Sequence, residues 1–260
     1  MGYGVLFGDN LKKNKGFTLV ELSIVIVIIG LIVAGVVGGQ SLVKQSKIRA
    51  LISDYNKYNI AVNAFKLEYN GLPGDLSNAS AFGLGTSGNG DKWIHHRTTE
   101  NLYSWGHLSS SGLIQGAYTG ASASPPRVNQ IGVNIPASSY GSDVAVYFAS
   151  IRSSNACLST NSTPMFGTVH NVNIITFAKL RTNNESCARI GFLNVKDAFG
   201  IDQKIDDGIA DSGIMFSANS DAGNSNGSRC VDRGTLQTGG ANYDLDETGD
   251  NCRLLFRIGL

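Results

Sequence analysis

The pattern of hydrophobic and polar positions divides the chain into an apolar segment near the N-terminus and a longer mixed region behind it. Residues 17–39 read FTLVELSIVIVIIGLIVAGVVGG, and Glu21 is the only charged residue among them. At a rise of about 1.5 Å per residue, a helix of this length spans a bilayer core of about 30 Å. The pattern therefore predicts a membrane-spanning helix.

This helix is predicted to continue to about residue 70. No proline occurs between residues 40 and 70, and hydrophobic side chains recur there at spacings of three and four, which place them on one helical face. They are Leu51, Tyr55, Tyr58, Val62, Phe65 and Tyr69. The stripe predicts that this half of the helix packs on a globular domain. Gly71, as a left-handed cap, and Pro73 are expected to end the helix.

The mixed region predicts an α+β fold, in which one long helix is followed by a mostly antiparallel sheet with short helices and long loops. Short helices are predicted at residues 100–114 and from residue 194 to Gly208. The strand candidates are residues 143–151, 169–179, 213–218 and 251–258. In the last of these the side chains alternate as in a half-buried strand.

The stretch 83–91, GLGTSGNGD, is predicted to be a loop. It contains a G-x-G-x-x-G spacing, but no strand precedes it and no helix follows. A dinucleotide site is therefore not expected.

Composition and charge narrow the functional classes. A net charge of +1 over 260 residues offers no broad basic face, which argues against a nucleic-acid-binding protein. The four histidines lack the spacing of a metal site and are expected on the surface or in loops. Neither a G-x-S-x-G elbow nor an acid–base pair of carboxylates stands out. The rival interpretation is a membrane-anchored extracytoplasmic enzyme or binding protein. No set of catalytic residues in the sequence supports it.

The cysteines are Cys157, Cys187, Cys230 and Cys252. None forms a C-x-x-C pair, so a zinc ribbon or a thioredoxin-like site is not expected. An even count at wide spacing fits two disulfides outside the cytoplasm, whereas four free thiols fit a cytosolic protein. Sequential pairing is the simplest of the three arrangements.

Three interpretations of the N-terminus compete: a secretory signal peptide cut near Gly39, an uncut signal anchor, and a leader cut before the apolar segment. The string KGFTLVELSIVIVIIGLIVA, which begins at Lys15, closely resembles the N-terminus of type IV prepilins and type II secretion pseudopilins. The resemblance favours the third interpretation. The leader has three lysines before the apolar segment, and Lys44, Lys47 and Arg49 follow it. The positive-inside rule therefore does not decide which end of the helix faces the cytoplasm.

The resemblance implies that prepilin peptidase cuts between Gly16 and Phe17 and methylates the new amine of Phe17. Glycine before the cut lets an extended backbone enter a protease cleft. By the same resemblance, Glu21 is the assembly carboxylate, and its partner is the α-amine of Phe17 in a neighbouring subunit. A carboxylate in an apolar helix is costly and marks a functional site. The alternative is a carboxylate that reaches the membrane interface and has no role in assembly.

The implied protein is a structural subunit of a type IV pilus or pilus-like filament, not an enzyme. Its leader is 1–16, its long helix 17–70 with the membrane-spanning filament core at 17–39, and its globular domain 71–260. The precursor is expected in the bacterial inner membrane with a periplasmic domain, and the product in a pilus or a periplasmic pseudopilus. Expected partners are prepilin peptidase, other pilin subunits and the assembly platform. A minor pilin or a type II secretion pseudopilin is the alternative.

The resemblance suggests one possible cofactor, calcium, because pseudopilins often hold it in a late loop. Asp244, Asp246 and Asp250 offer oxygen ligands around a glycine, although without the EF-hand spacing. The alternative is a solvated acidic turn held by a bridge between Cys230 and Cys252. The string IDQKIDDG, from Ile201 to Gly208, also resembles a segment of some large pilin-like proteins, and the resemblance assigns it no chemistry.

Overall fold

The structure is a computed structural model. It describes Met1 and the ranges 16–95, 99–121, 128–151, 171–180, 188–220, 229–232 and 240–259. The chain forms two units, Met1–Ser46 and Lys47–Leu260. The first helix, α1 (Leu19–Tyr69), contributes residues to both.

The first unit contains the apolar part of α1. This helix includes a window with a mean hydropathy of 2.9, none of which is buried within the protein, and it is long and apolar enough to cross a membrane. Large side chains such as Ile26, Leu31 and Val37 are exposed. The predicted long apolar helix is therefore present, and its apolar surface is not covered by the described residues of the chain.

The second half of α1 lies in the larger unit, and there the predicted stripe is confirmed. Its side chains are buried from Leu51 to Phe65, and Tyr69 is half-buried. The Tyr55 ring stacks on Phe256 with centroids 4.5 Å apart, and the Tyr58 ring meets Trp105 edge-on at 4.8 Å. Since buried aromatic pairs contribute beyond the area they bury, these contacts fix this part of α1 on the sheet.

The helix ends one residue earlier than expected. It stops at Tyr69, and Asn70, with φ of 53°, takes the left-handed conformation that was predicted for Gly71. Asparagine tolerates this conformation because its short polar side chain bonds locally. A left-handed glycine follows at Gly74, where a Cβ atom would collide with the carbonyl of Glu100. The turn is therefore set by the close approach of the helix that begins at Glu100.

The larger unit has one five-stranded sheet in the order β1-β2-β3-β5-β4, and all neighbouring strands are antiparallel. This confirms the α+β fold and the four predicted strands. β1 has two residues, too few to produce an alternating pattern, and was not predicted. The strands are β1 (Ala137–Ser138), β2 (Gly141–Ile151), β3 (Val172–Lys179), β4 (Met215–Asn219) and β5 (Cys252–Arg257).

The prediction that the last strand is half-buried is wrong. Leu254 and Leu255 point to opposite faces of the sheet, and both are buried. Both faces of β5 are therefore covered, and on one of them Phe256 stacks on Tyr55 of α1. Arg253, only 1% exposed, is accommodated because its Nε donates to the Asn219 carbonyl at 2.9 Å.

Two short α-helices and a 3₁₀ helix at Ala79–Phe82 complete the described part of the unit. The helix α2 (Glu100–Ser110) buries Trp105 between Tyr58 and Phe148, as a core-covering helix should. The helix α3 (Val195–Ile205) is capped by the Asn194 side chain and ends three residues before the predicted Gly208. The glycine-rich stretch 83–91 contains neither helix nor strand, as predicted.

Candidate functional site

The backbone between Gly16 and Phe17 lies immediately before the apolar helix. Both residues are exposed and non-helical, since α1 begins at Leu19. Phe17 is 88% exposed, and a Cβ atom added at Gly16 would meet nothing within 4 Å. An exposed, non-helical segment is the form in which a protease takes a peptide bond. The described part of the chain thus leaves this bond accessible.

Glu21 forms a reciprocal set of hydrogen bonds with Thr18. The Thr18 backbone N–H donates to Glu21 Oε2 at 2.8 Å, and the Thr18 hydroxyl donates to the same oxygen at 2.9 Å. In return, the Glu21 backbone N–H lies 3.2 Å from Thr18 Oγ1. This is a capping box, in which each side chain satisfies a backbone donor at the start of a helix.

The capping box gives Glu21 a local role that the sequence analysis missed. The signal was present as T-x-x-E at the N-terminus of a predicted helix. A carboxylate in the first turn also interacts favourably with the helix dipole. Among the described residues nothing donates to Glu21 Oε1, so one oxygen remains available to a second partner. The cap and an intersubunit contact are therefore compatible.

Residues 11–37 match a family model described as the prokaryotic N-terminal methylation motif. The chain carries this methylation motif. It is characteristic of type IV pilins and pseudopilins, so the resemblance of the N-terminal string is confirmed. The matched range contains Gly16, Phe17 and Glu21. No curated protein and no solved structure matches the chain.

Far from the methylation motif in sequence, Cys230 and Cys252 form a disulfide with Cα atoms 4.9 Å apart. This is the pairing expected from sequential order. It joins the first residue of β5 to a segment held by Asn219, whose Oδ1 accepts from the backbone N–H of Cys230 at 2.7 Å. Cys157 and Cys187 lie outside the described residues.

The expectation that the histidines lie on the surface or in loops is wrong for His107, which is 1% exposed in α2. Gly74 donates its backbone N–H to Nδ1 at 2.9 Å, so the neutral ring carries its proton on Nε2 and donates it to the Thr86 carbonyl at 2.8 Å. Burial lowers the pKa of His107. The ring holds the exit of α1 against α2. His96 and His170 lie outside the described residues.

The predicted calcium ligands of the late loop lie at the surface. Asp246 and Asp250 are exposed and Asp244 is half-buried, with its backbone N–H donated to the Cys230 carbonyl at 3.0 Å. Calcium at these residues stays a prediction.

Within the described ranges, a different set of carboxylates approaches closely enough to share a metal. Asp202, Asp206 and Asp207 each place one oxygen within 4.8 Å of the others. Burial, with smaller contributions from Asp207 and Asp206, raises the pKa of Asp202 to about 7. These residues belong to the string IDQKIDDG, for which the sequence predicted no chemistry.

Proposed function

We propose that the protein is a structural subunit of a type IV pilus or pilus-like filament, cleaved before Phe17 and polymerised through its N-terminal helix. The observation that carries the proposal is the methylation motif at residues 11–37. The peptide bond between Gly16 and Phe17, within this motif, is exposed, and an apolar helix able to cross a membrane follows directly. A structural role is accordingly preferred to a catalytic one.

Processing removes residues 1–16. Prepilin peptidase cuts after Gly16 and methylates the amine of Phe17, and the precursor meets this enzyme while α1 lies in the inner membrane. The exposed, non-helical backbone at Gly16 and Phe17 supports this step. The larger unit then lies outside the cytoplasm, where a disulfide such as Cys230–Cys252 persists.

Assembly moves the apolar residues 17–39 from lipid into contact with the helices of neighbouring subunits, delivered by the assembly platform. The α-amine of Phe17 in one subunit pairs with Glu21 of the next. In an interior without water, such a pair fixes the axial register more than it adds net stability. The open Oε1 of Glu21 supports this pairing, because the capping box occupies only Oε2.

A minor pilin or a pseudopilin of a type II secretion system is the second candidate. Removal of residues 1–16 would leave a mature chain of at least 244 residues, which is large for a main pilus subunit of the family that it resembles. Both candidates share the processing and assembly steps, and they differ in the abundance of the subunit within the filament.

The test compares variants that separate the charge of Glu21 from its capping role. Glu21→Gln removes the charge but keeps an oxygen that accepts from the Thr18 N–H, whereas Thr18→Ala removes the hydroxyl and keeps the charge. In the native host, we expect both variants to be processed. Incorporation into sheared filaments should be lost for Glu21→Gln and largely kept for Thr18→Ala.

Two outcomes contradict the assembly role. Incorporation of Glu21→Gln at the normal level would show that the charge is dispensable. Equal failure of Thr18→Ala would show that assembly depends on the helix cap. A protein that is processed but never recovered with filaments would favour the rival, a membrane-anchored extracytoplasmic binding protein.

A further inference from the structure

The segment at the end of α3 concentrates negative charge where a helix ordinarily attracts positive charge. Asp202 lies in the last turn, Asp206 is the C-terminal capping residue, and Asp207 follows it. The carbonyl end of a helix carries a partial negative charge, so carboxylates there are unfavourable. Three of them within 4.8 Å of one another also repel. Lys204, the basic residue of this turn, is exposed.

Asp202 has a buried carboxylate oxygen that the described residues satisfy poorly. Its side chain is 0% exposed, and Oδ2 accepts a hydrogen bond from the Tyr243 hydroxyl at 2.7 Å. That hydroxyl also lies 2.9 Å from Ser217 Oγ on β4, which fixes its position. No described residue makes a hydrogen bond of normal length and angle to Oδ1, although the Gly208 N–H favours the charged form of the carboxyl and lowers its pKa. A buried acceptor left in this way is costly and is explained most directly by a bound ion or water.

The other two carboxylates are held in place by backbone donors. Asp206 Oδ2 accepts from the N–H groups of Ile214 and Met215, the latter at 3.1 Å. Asp207 Oδ1 accepts from the Ile209 N–H at 2.8 Å. Asp206 Oδ1 accepts no hydrogen bond from the described residues. The cluster is therefore pre-organised, with unused oxygens on Asp202 and Asp206.

We propose that Asp202, Asp206 and Asp207 bind a divalent cation of the calcium class. The donor set is all oxygen, which suits hard cations rather than zinc. Calcium bonds of about 2.3–2.6 Å place opposite ligands up to about 5 Å apart, which the observed spacing satisfies. The free carbonyls at the end of a helix, together with water, are suitable further ligands. The ion neutralises the clustered charge and joins the end of α3 to the start of β4.

This site differs from the late loop of Asp244, Asp246 and Asp250. One experiment distinguishes which of the two binds Ca²⁺. The purified full-length protein is treated with chelator, and Ca²⁺ is added during calorimetry and thermal unfolding. Asp202→Asn is the test variant, because asparagine keeps an acceptor for Tyr243 and removes one charge. Asp246→Asn and Asp250→Asn are matched controls from the late loop.

We expect one Ca²⁺ per chain bound through the α3 cluster. At hundredfold excess over Kd, the midpoint of unfolding should rise by about 5–10 °C. Asp202→Asn should weaken binding by about 10- to 100-fold, and the two control variants should bind as the parent does. Under chelator, Asp202→Asn should unfold at or above the midpoint of the parent, since it relieves repulsion; this also shows that the variant is folded.

Two results would overturn the proposal. They are no Ca²⁺ binding by the parent and Ca²⁺ binding that survives in Asp202→Asn. If Asp246→Asn or Asp250→Asn abolishes the binding that Asp202→Asn retains, the ion lies in the late loop. None of these results depends on filament assembly, so the cation site stands or falls separately from the proposed function.

Discussion

The disulfide between Cys230 and Cys252 is expected to contribute a large part of the stability of the larger unit. The two residues are 22 apart in sequence and both are fully buried. On the chain-entropy relation, closing a loop of this length removes about 11 cal/mol/K from the unfolded chain, or about 3 kcal/mol at 25 °C. The loop it closes includes Val231 and Tyr243, whose backbones form a bridge.

The perturbation is the double variant Cys230→Ala/Cys252→Ala, compared with the parent under non-reducing conditions. Its free energy of unfolding should fall by at least about 3 kcal/mol, because the lost sulfur atoms add a cavity cost to the entropic one. For a unit of this size, the midpoint should drop by about 10 °C.

Equilibrium unfolding in urea measures the free energy of unfolding, and a thermal melt measures the midpoint temperature. The urea dependence of the free energy should become steeper in the variant, because its unfolded chain exposes more surface. An unchanged midpoint would refute the reasoning. A lower midpoint with an unchanged slope would mean that the bridge acts on the folded state instead.

The remaining predictions concern the packing of α1. Because burial lowers the pKa of His107 in the folded protein from its usual 6.5, the unfolded chain binds more protons in acid, and the free energy of unfolding should fall as pH drops from about 7 to about 5. His107→Asn, whose side-chain oxygen accepts from Gly74 at any pH, should lose this contribution in a pH series of urea titrations. Asp54→Ala removes the acceptor for three hydrogen bonds from Ser138 and Ser139 and should cost about 2–4 kcal/mol. The matched control Asp143→Ala, which removes an exposed ion pair with Lys179, should lower the free energy of unfolding by less than about 1 kcal/mol. Equal losses in the two variants would contradict the stabilising role of Asp54.

The long helix was predictable because its signals are local. The buried stripe from Leu51 to Tyr69 follows the helical repeat, and the sequence shows it without any tertiary information. The same holds for the four longer strands and for α2. The end of α1 was less predictable, because Asn70 and Gly71 both accept a left-handed conformation and the packing of Gly74 on α2 decides between them.

The rest of the structure depends on contacts between distant segments. Arg253 is buried on a covered face of β5 and donates to the carbonyl of Asn219, 34 residues away, and no local pattern contains either feature. The buried carboxylate of Asp202 accepts from Tyr243, which lies 41 residues away in the sequence. In contrast, the cap at Thr18 and Glu21 was readable from spacing alone.

The central claim is that the chain is processed at the methylation motif between Gly16 and Phe17. Mass spectrometry of the N-terminal peptide, on protein isolated from its native membrane, tests it most directly. The account predicts a mature chain that begins with Phe17 and carries one added methyl group on its α-amine. A mature protein that begins at Met1, or one cut near Gln40 so that the apolar helix is lost, would contradict it.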